Sequence, residues 1–249
     1  MRKEKLKEKS QVSVFIILAI VIIAVILIYF VFKSNILNLG KEIVSPEVAP
    51  IYSFVDDCVK KTGEDAVYYI GQTGGYFVNP ETSTDNNIAY YLYNKNNLIP
   101  GKERIEKELS DYMNQMLFFC TDNFINFPDF QVKQGEIKTS AKIENNKVIF
   151  NVEYPLAISK DDKSYNIKKF ENRVNARLDI VYQTAYEIMQ EQMKHKEDIC
   201  LNCLQELAAT KDLYIDMYDY KEKVVVFIIT DPNSKINEKD FEFYFANSY

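Results

Sequence analysis

The sequence lacks several residue types on which common classes of site depend. It holds no tryptophan, one histidine, seven glycines and seven prolines in 249 residues. A single histidine excludes a metal site built from several imidazoles. The low glycine and proline content excludes collagen-like and low-complexity chains. The sequence also has no Asn-x-Ser/Thr sequon, so we expect no N-glycosylation.

Charge is unevenly distributed along the chain. Of its 30 basic and 36 acidic residues, residues 1–10 hold five and two, so the other residues hold 25 and 34, a net charge of −9. Residues 11–32 hold no charged side chain. Because phosphate binding needs a basic surface, the acidic remainder argues against a nucleic-acid partner.

The uncharged run predicts a membrane anchor. Val12–Phe32 contains 21 residues, and as an α-helix it would span about 32 Å, roughly the hydrocarbon core of a bilayer. Its only polar side chains are those of Ser13 and Tyr29. The run is longer than the core of a secretory signal peptide, and no Ala-x-Ala cleavage site follows it. We therefore expect it to stay in the lipid bilayer.

The charges around this run predict its orientation. Five basic residues precede it, whereas Lys33 alone follows closely. Since positively charged residues stay on the cytoplasmic side, we expect a cytoplasmic N-terminus and an extracellular C-terminal part. The predicted organisation is that of a single-pass protein of the cell membrane, with a cytoplasmic basic tail (1–10), a transmembrane helix (11–33), a stalk (34–50) and an extracellular domain (51–249).

The junction Lys9-Ser10-Gln11-Val12-Ser13-Val14-Phe15 resembles the class III signal peptide of archaeal type IV pilin-like proteins. In that family a charged tail, a small residue and a glutamine precede the apolar helix. The resemblance implies that a prepilin peptidase cuts between Ser10 and Gln11. It also implies that the apolar helix packs with copies of itself or with other pilin-like subunits in a filament or pseudopilus. Cys58–Phe77 (CVKKTGEDAVYYIGQTGGYF) is similar to a family of membrane-anchored proteins from small-genome archaea that has no assigned activity.

Hydrophobic periodicity predicts an α+β fold for the extracellular domain. Apolar residues at three- and four-residue steps predict helices from Ile51 to a glycine-rich stop at 71–75, and over 102–120, 173–193 and 197–210. Alternating patterns predict strands over 138–143, 148–156, 164–170, 213–217, 223–230 and 241–245. Residues 76–100 are expected to form a long ordered loop with one short strand over 88–93. Asn145 and Asn146 predict a hairpin turn. Because helices and strands occur in blocks, we expect an antiparallel sheet with several amphipathic helices.

All four cysteines lie in the predicted extracellular part, where an oxidising environment favours disulfides. Four cysteines allow three pairings. We favour Cys58–Cys120, which would join the first two helices of the domain, together with Cys200–Cys203. The Cys-x-x-Cys spacing of the second pair also fits a thiol–disulfide exchange site, and four cysteines could in principle bind zinc.

The segment from residue 76 to residue 100 is rich in asparagine and tyrosine. Its tyrosines offer amphipathic rings, and its asparagines offer amide donors and acceptors. Surfaces of this composition suit recognition of sugars or of protein partners. The predicted binding residues are Tyr76, Tyr90, Tyr91 and Tyr93. The alternative is that these tyrosines pack onto the core of the domain.

No sequence pattern indicates a catalytic residue, a metal site or a cofactor. Carboxylate pairs such as Asp56–Asp57 and Asp161–Asp162 are expected on solvated helix faces and in turns. We therefore predict a structural or interaction protein with a pilin-like anchor and no enzymatic activity. The alternatives are a cell-surface module that binds sugars or proteins, and a tethered CxxC oxidoreductase or hydrolase.

Overall fold

The chain divides into two compact units, Met1–Ile43 and Val44–Tyr249. The computed structural model describes Leu18, Ile20–Ile26, Ser45–His195 and Asp198–Tyr249. In the first unit, the described residues of the apolar run are helical. Within the described part of the chain, no helix is long and apolar enough to cross a membrane. The basic tail, the Ser10–Gln11 junction and most of the predicted stalk lie outside the described residues.

The second unit is an α+β domain, as predicted. Its helices are α1 (Ala49–Gln72), α2 (Lys102–Thr121), α3 (Leu178–Lys194) and α4 (Leu201–Lys211), with a 3₁₀-helix at Asp122–Phe124. Its strands are β1 (Tyr90–Tyr93), β2 (Asn96–Asn97), β3 (Gln131–Gln134), β4 (Lys138–Glu144), β5 (Lys147–Lys160), β6 (Lys163–Val174), β7 (Tyr214–Lys221), β8 (Val224–Ile236) and β9 (Lys239–Ser248).

The strands form two sheets. In the five-stranded sheet the order is β2-β1-β9-β8-β7, with β1 parallel to β9 and the other pairs antiparallel. In the four-stranded sheet, the 14-residue β5 pairs with β6 along one edge. Along its other edge β5 pairs first with β4 and then with β3. A β-bulge between Glu153 and Leu156 shifts the β5–β6 register where β5 passes from β4 to β3.

Helix α1 packs against both sheets and lies at the centre of the core. It contacts β6 of the four-stranded sheet and β9 of the five-stranded sheet. Gly63 faces the side chain of Asn172, and Gly71 faces the ring of Phe241 and the backbone oxygen of Glu242. A Cβ atom at either glycine would overlap these neighbours. Both glycines therefore allow the helix to approach the sheets closely.

Helix α2 lies beside α1 and packs on β4. The disulfide between Cys58 and Cys120 joins the two helices, with their Cα atoms 5.7 Å apart. The buried carboxylate of Glu108 accepts hydrogen bonds from the backbone N–H groups of Phe77 (2.9 Å) and Val78 (3.1 Å). These bonds tie the segment that follows α1 to α2.

The predicted elements are present, but two helix boundaries differ from the prediction. The hairpin turn between β4 and β5 holds Asn146 at a φ of 61°, as expected for a tight turn. Helix α3 begins at Leu178 and not at Arg173, because Arg173 and Val174 extend β6 and pair with β5. Helix α4 begins at Leu201 rather than at 197, a position outside the described residues.

Candidate functional site

One face of the five-stranded sheet carries tyrosines from several strands. Residues directly opposite each other on neighbouring strands point to the same face. The register places Tyr218, Val226, Ala246 and Tyr90 in one such row across β7, β8, β9 and β1. The next row contains Tyr244. Because side chains alternate along a strand, this face is opposite to the one that packs on α1.

Five tyrosines on this side of the sheet form the tyrosine face, which comprises Tyr90, Tyr93, Tyr218, Tyr220 and Tyr244. Beneath them lies a small hydrophobic cluster that is separate from the main core, and its buried members are Ile88, Val224, Val226 and Ala246. The rings of Tyr90, Tyr220 and Tyr244 pack against this cluster and are half-buried. Tyr93 and Tyr218 are 36% and 41% exposed. The tyrosine face therefore has an apolar base and an accessible aromatic surface.

A β-bulge in β1 decides which tyrosines reach this face. Tyr90 pairs with Ala246, but the register then shifts so that Leu92 pairs with Asn247. As a result Tyr91 and Leu92 are both buried in the main core. Tyr93 returns to the side of Tyr90, and their ring centroids lie 5.2 Å apart at an interplanar angle of 46°.

Charged groups border the aromatic rings. The ammonium of Lys221 lies 5.3 Å from the ring centroid of Tyr220, within the range of a cation–π contact. The same ammonium pairs with the carboxylate of Asp85 at 2.5 Å. The hydroxyl of Tyr244 donates a hydrogen bond of 2.7 Å to the Glu242 carboxylate. The charged groups of Lys221, Asp85 and Glu242 therefore each have an aromatic, ionic or hydrogen-bonding partner.

Two phenol groups of the tyrosine face, those of Tyr90 and Tyr244, have raised pKa values and stay uncharged at neutral pH. Burial raises the pKa of Tyr90, although the nearby Lys221 opposes that shift. Burial and the hydrogen bond to Glu242 raise the pKa of Tyr244 well above its ordinary value. These two hydroxyls therefore act as neutral hydrogen-bond donors and acceptors beside apolar rings, a combination that suits the recognition of other molecules.

The four tyrosines predicted from the sequence do not form one site. Tyr90 and Tyr93 belong to the tyrosine face, as described above. Tyr91 is fully buried, its ring stacks on Phe245 at 4.7 Å, and its hydroxyl donates to the carbonyl of Gly74 at 3.0 Å. For Tyr91 the alternative of core packing is therefore correct. Tyr76 is half-buried near the start of α2, where the guanidinium of Arg104 lies 5.8 Å from its ring centroid.

Sequence reasoning missed three members of the tyrosine face. Tyr218 and Tyr220 lie in β7, and Tyr244 lies in β9. A signal for the first two exists in YIDMYDY (214–220), where tyrosine or aspartate occupies every second position until the strand ends. This alternation indicates one polar aromatic side of a strand. No comparable local signal marks Tyr244, whose neighbours in β9 are phenylalanines of the core.

Both cysteine pairs are disulfide-bonded in the arrangement favoured from the sequence. Cys200 and Cys203 have Cα atoms 5.3 Å apart, and Cys200 is the N-cap residue of α4. With all four cysteines bonded, none is left as a thiolate for the zinc alternative. Among the described residues, no group of three or more potential metal ligands converges.

A concavity of about 560 Å³ lies between the start of α3 and the end of α4. Arg177 lines it, and its guanidinium forms an ion pair with the fully buried Asp231 of β8. The hydrogen bonds that Arg177 donates to the Asp231 carboxylate raise the pKa of Arg177. The hydroxyl of Ser234 also donates to this carboxylate. Arg177 further donates to the carbonyl of Asp212 at 3.1 Å. Because these bonds connect α3, α4 and β8, we assign the ion pair a structural role.

Comparison of the chain with protein-family models, with curated proteins and with solved structures finds no match. Functional assignment therefore rests on the residues of this chain. Two features have the accessibility and the chemistry that a functional site requires. They are the tyrosine face and the partly exposed disulfide at the N-terminus of α4.

Proposed function

We propose that this chain is a single-pass, pilin-like structural or interaction protein. In this proposal its apolar helix lies in the cell membrane, its α+β domain is extracellular, and the tyrosine face contacts protein partners. The pilin-like resemblance of the N-terminal junction favours another copy of the chain, or another pilin-like subunit, as that partner.

The exposure of the described apolar helix carries the proposal. Seven large apolar side chains on this helix are each 48–61% exposed: Leu18, Ile20, Val21, Ile22, Ile23, Val25 and Ile26. Covering the exposed half of each one would contribute about 1 kcal/mol. Lipid chains and neighbouring apolar helices are the two surroundings that cover such a helix on all sides.

Charge and cysteine chemistry support an extracellular position for the domain. The five basic residues before the apolar run favour a cytoplasmic N-terminus. Two disulfides in the domain are typical of an oxidising compartment. These two indications are independent, and both favour the same side of the membrane.

The composition of the tyrosine face supports a protein partner. Tyrosine is enriched in protein interfaces, where its rigid ring contributes large contact area at low entropic cost. Strand β7, which carries Tyr218 and Tyr220, is an edge strand of the sheet as described. An edge strand beside an aromatic surface adds unpaired backbone groups to the contact.

Binding of sugars is a second candidate for the tyrosine face. The adjoining rings of Tyr90 and Tyr93 offer an apolar surface, and the Lys221–Asp85 pair offers polar groups beside it. A glycan array probed with the wild-type chain tests this candidate. Signal that is lost when Tyr93 is replaced by serine would favour sugar recognition over protein contact.

Expression of the full chain in an archaeal cell tests the anchor. We expect the chain to remain in the membrane after alkaline carbonate extraction and external protease to remove the domain from intact cells. Ile22→Arg combined with Val25→Arg should release the chain, because two charges inside the bilayer cost several kcal/mol. Recovery of the wild-type chain in the soluble fraction would contradict the anchor.

Mass spectrometry of the mature N-terminus tests the pilin-like assignment separately. A chain that begins at Gln11 supports cleavage by a prepilin peptidase. A chain that retains Met1 contradicts the cleavage and leaves a simple anchor. Electron microscopy with an antibody against the domain then shows whether the mature chain assembles into filaments.

Substitution of the exposed members of the tyrosine face tests the partner contact. Tyr93→Ser combined with Tyr218→Ser should reduce chemical cross-linking to partner subunits at least roughly tenfold, as expected for the loss of two central aromatic contacts. Tyr186→Ser is the matched control, since Tyr186 is 39% exposed on α3. Equal cross-linking by the double variant and the control would remove the tyrosine face from the proposal.

A further inference from the structure

The two disulfides of the domain lie in different environments. Cys58 is 3% exposed and its partner Cys120 is partly exposed, whereas both cysteines of the second pair, Cys200 and Cys203, are partly exposed. The Cys58–Cys120 bridge spans a sequence separation of 62 residues, and the Cys200–Cys203 bridge spans 3. The entropy that a cross-link removes from the unfolded chain grows with loop length, so the short bridge constrains the fold much less. The short bridge is therefore the better candidate for chemistry.

The position of the short bridge favours a thiolate at Cys200. Cys200 is the N-cap residue of the 11-residue helix α4, and the backbone N–H of Cys203 donates a hydrogen bond of 3.3 Å to its Sγ atom. Such a donor and the positive end of the helix dipole stabilise a thiolate more than a thiol. Cys200 is therefore the better leaving group when the bond is attacked, since thiols of low pKa leave faster.

Hydrogen bonds hold the backbone of His195 and Asp198, two described residues that precede α4. The side-chain amide of the buried Gln192 donates to the carbonyl oxygens of His195 (2.7 Å) and Asp198 (3.1 Å). The hydroxyl of Tyr249 in turn donates to the side-chain oxygen of Gln192 at 2.8 Å. These bonds connect the backbone of His195 and Asp198 with α3 and with Tyr249.

A groove between α3 and α4 gives access to the second sulfur of the pair. The groove has a volume of about 330 Å³, and Cys203 lines it. Its other lining residues are mainly polar and include Glu187, Glu191, Glu206 and Thr210. An extended segment of another protein can lie in this groove and bring a cysteine to Cys203.

We propose that Cys200–Cys203 is a redox-active disulfide that oxidises cysteine pairs of other proteins. A substrate thiolate attacks the Sγ atom of Cys203, which forms an intermolecular disulfide and releases Cys200 as a thiolate. The second substrate thiolate then attacks the substrate sulfur of that bond, so the substrate gains its own disulfide and Cys203 leaves as a thiolate. Two electrons pass from the substrate to the cysteine pair, and the two thiol protons pass to solvent or to the released thiolates. This activity does not depend on the proposed anchor or on the tyrosine face.

A reduced peptide with two cysteines is the probe for this activity. The full chain is purified in detergent with both disulfides formed, mixed with the peptide and quenched with iodoacetamide. Mass spectrometry then measures peptide oxidation and the alkylation of each cysteine of the chain. We expect the peptide to be oxidised about tenfold faster than with the Cys200→Ala/Cys203→Ala variant. Alkylation should appear at Cys200 and Cys203 in step with the oxidised peptide.

The Cys58–Cys120 bridge is the internal control in the same sample. It should remain unalkylated while Cys200 and Cys203 become alkylated. Near-UV circular dichroism tests whether the double variant is folded. If it is not folded, the difference in alkylation between the two cysteine pairs of the wild-type chain is the criterion. Equal alkylation of both cysteine pairs, or no alkylation of Cys200 and Cys203, would overturn the proposal. Oxidation no faster than with a folded double variant would overturn it as well.

Discussion

Removal of the Cys58–Cys120 bridge should destabilise the domain far more than removal of the Cys200–Cys203 bridge. For separations of 62 and 3 residues, the chain-entropy model gives stabilisations of about 4 and about 2 kcal/mol. The second unit has an unfolding entropy of roughly 0.4 kcal/mol per degree, from its residues Val44–Tyr249. We therefore expect the midpoint of thermal unfolding to fall by roughly 10 °C and roughly 4 °C, respectively.

Paired alanine variants make the comparison direct. Cys58→Ala/Cys120→Ala and Cys200→Ala/Cys203→Ala each remove two sulfurs, and alanine introduces no polar group into the core. Because the chain has no tryptophan, unfolding is followed by the near-UV circular dichroism of its tyrosines. Equal losses in the two variants would refute the argument from loop length. A larger loss in the Cys200/Cys203 variant would show that the short bridge is a structural element of α4.

Two further substitutions test the packing of the domain by urea unfolding. Arg177→Ala should cost about 3 kcal/mol, because it leaves the fully buried Asp231 without its counter-charge, whereas Arg173→Ala, in an exposed pair, should cost under about 0.5 kcal/mol. Equal costs would contradict the structural role of the ion pair. Gly71→Ala should cost about 1–3 kcal/mol, because its Cβ atom would overlap β9. Gly101→Ala, whose Cβ atom would meet only the end of the Glu103 side chain at 3.5 Å, should cost under about 1 kcal/mol, as expected for alanine at an N-cap. A neutral Gly71→Ala would contradict the close contact of α1 with the sheet.

Elements with strong local signals could be predicted from the sequence. Helix α2 ends within one residue of the predicted boundary, because its apolar residues follow a helical period from end to end. The turn at Asn145–Asn146 was also predictable, since asparagine tolerates the positive φ that a two-residue turn requires. The start of α3 was not, because Arg173 and Val174 gain strand partners in β5. Pairing with a distant segment overrides the local helical pattern there.

The tyrosine face depends on residues that are far apart in the sequence. Tyr90, Tyr218 and Tyr244 become neighbours through the order of β1, β9, β8 and β7, and no local pattern specifies that order. The parallel pairing of β1 with β9 in particular joins segments about 150 residues apart. The bulge in β1 adds a second step that the sequence does not predict, because it turns Leu92 inward and Tyr93 outward. Sequence composition therefore located the tyrosine-rich segment but not the surface.

The bridge between α1 and α2 also determines how the domain would bear a mechanical load. Any tension that the chain preceding Ser45 transmits passes through residues 45–48, where Val48 is packed in the core, to α1, which begins at Ala49. The bridge lies at Cys58, about two and a half helical turns further on. There the covalent path passes directly to Cys120 and bypasses the residues between the two cysteines. Pulling could therefore unwind the first turns of α1. The residues between Cys58 and Cys120, which are 62 positions apart, could not be extended unless the sulfur–sulfur bond broke.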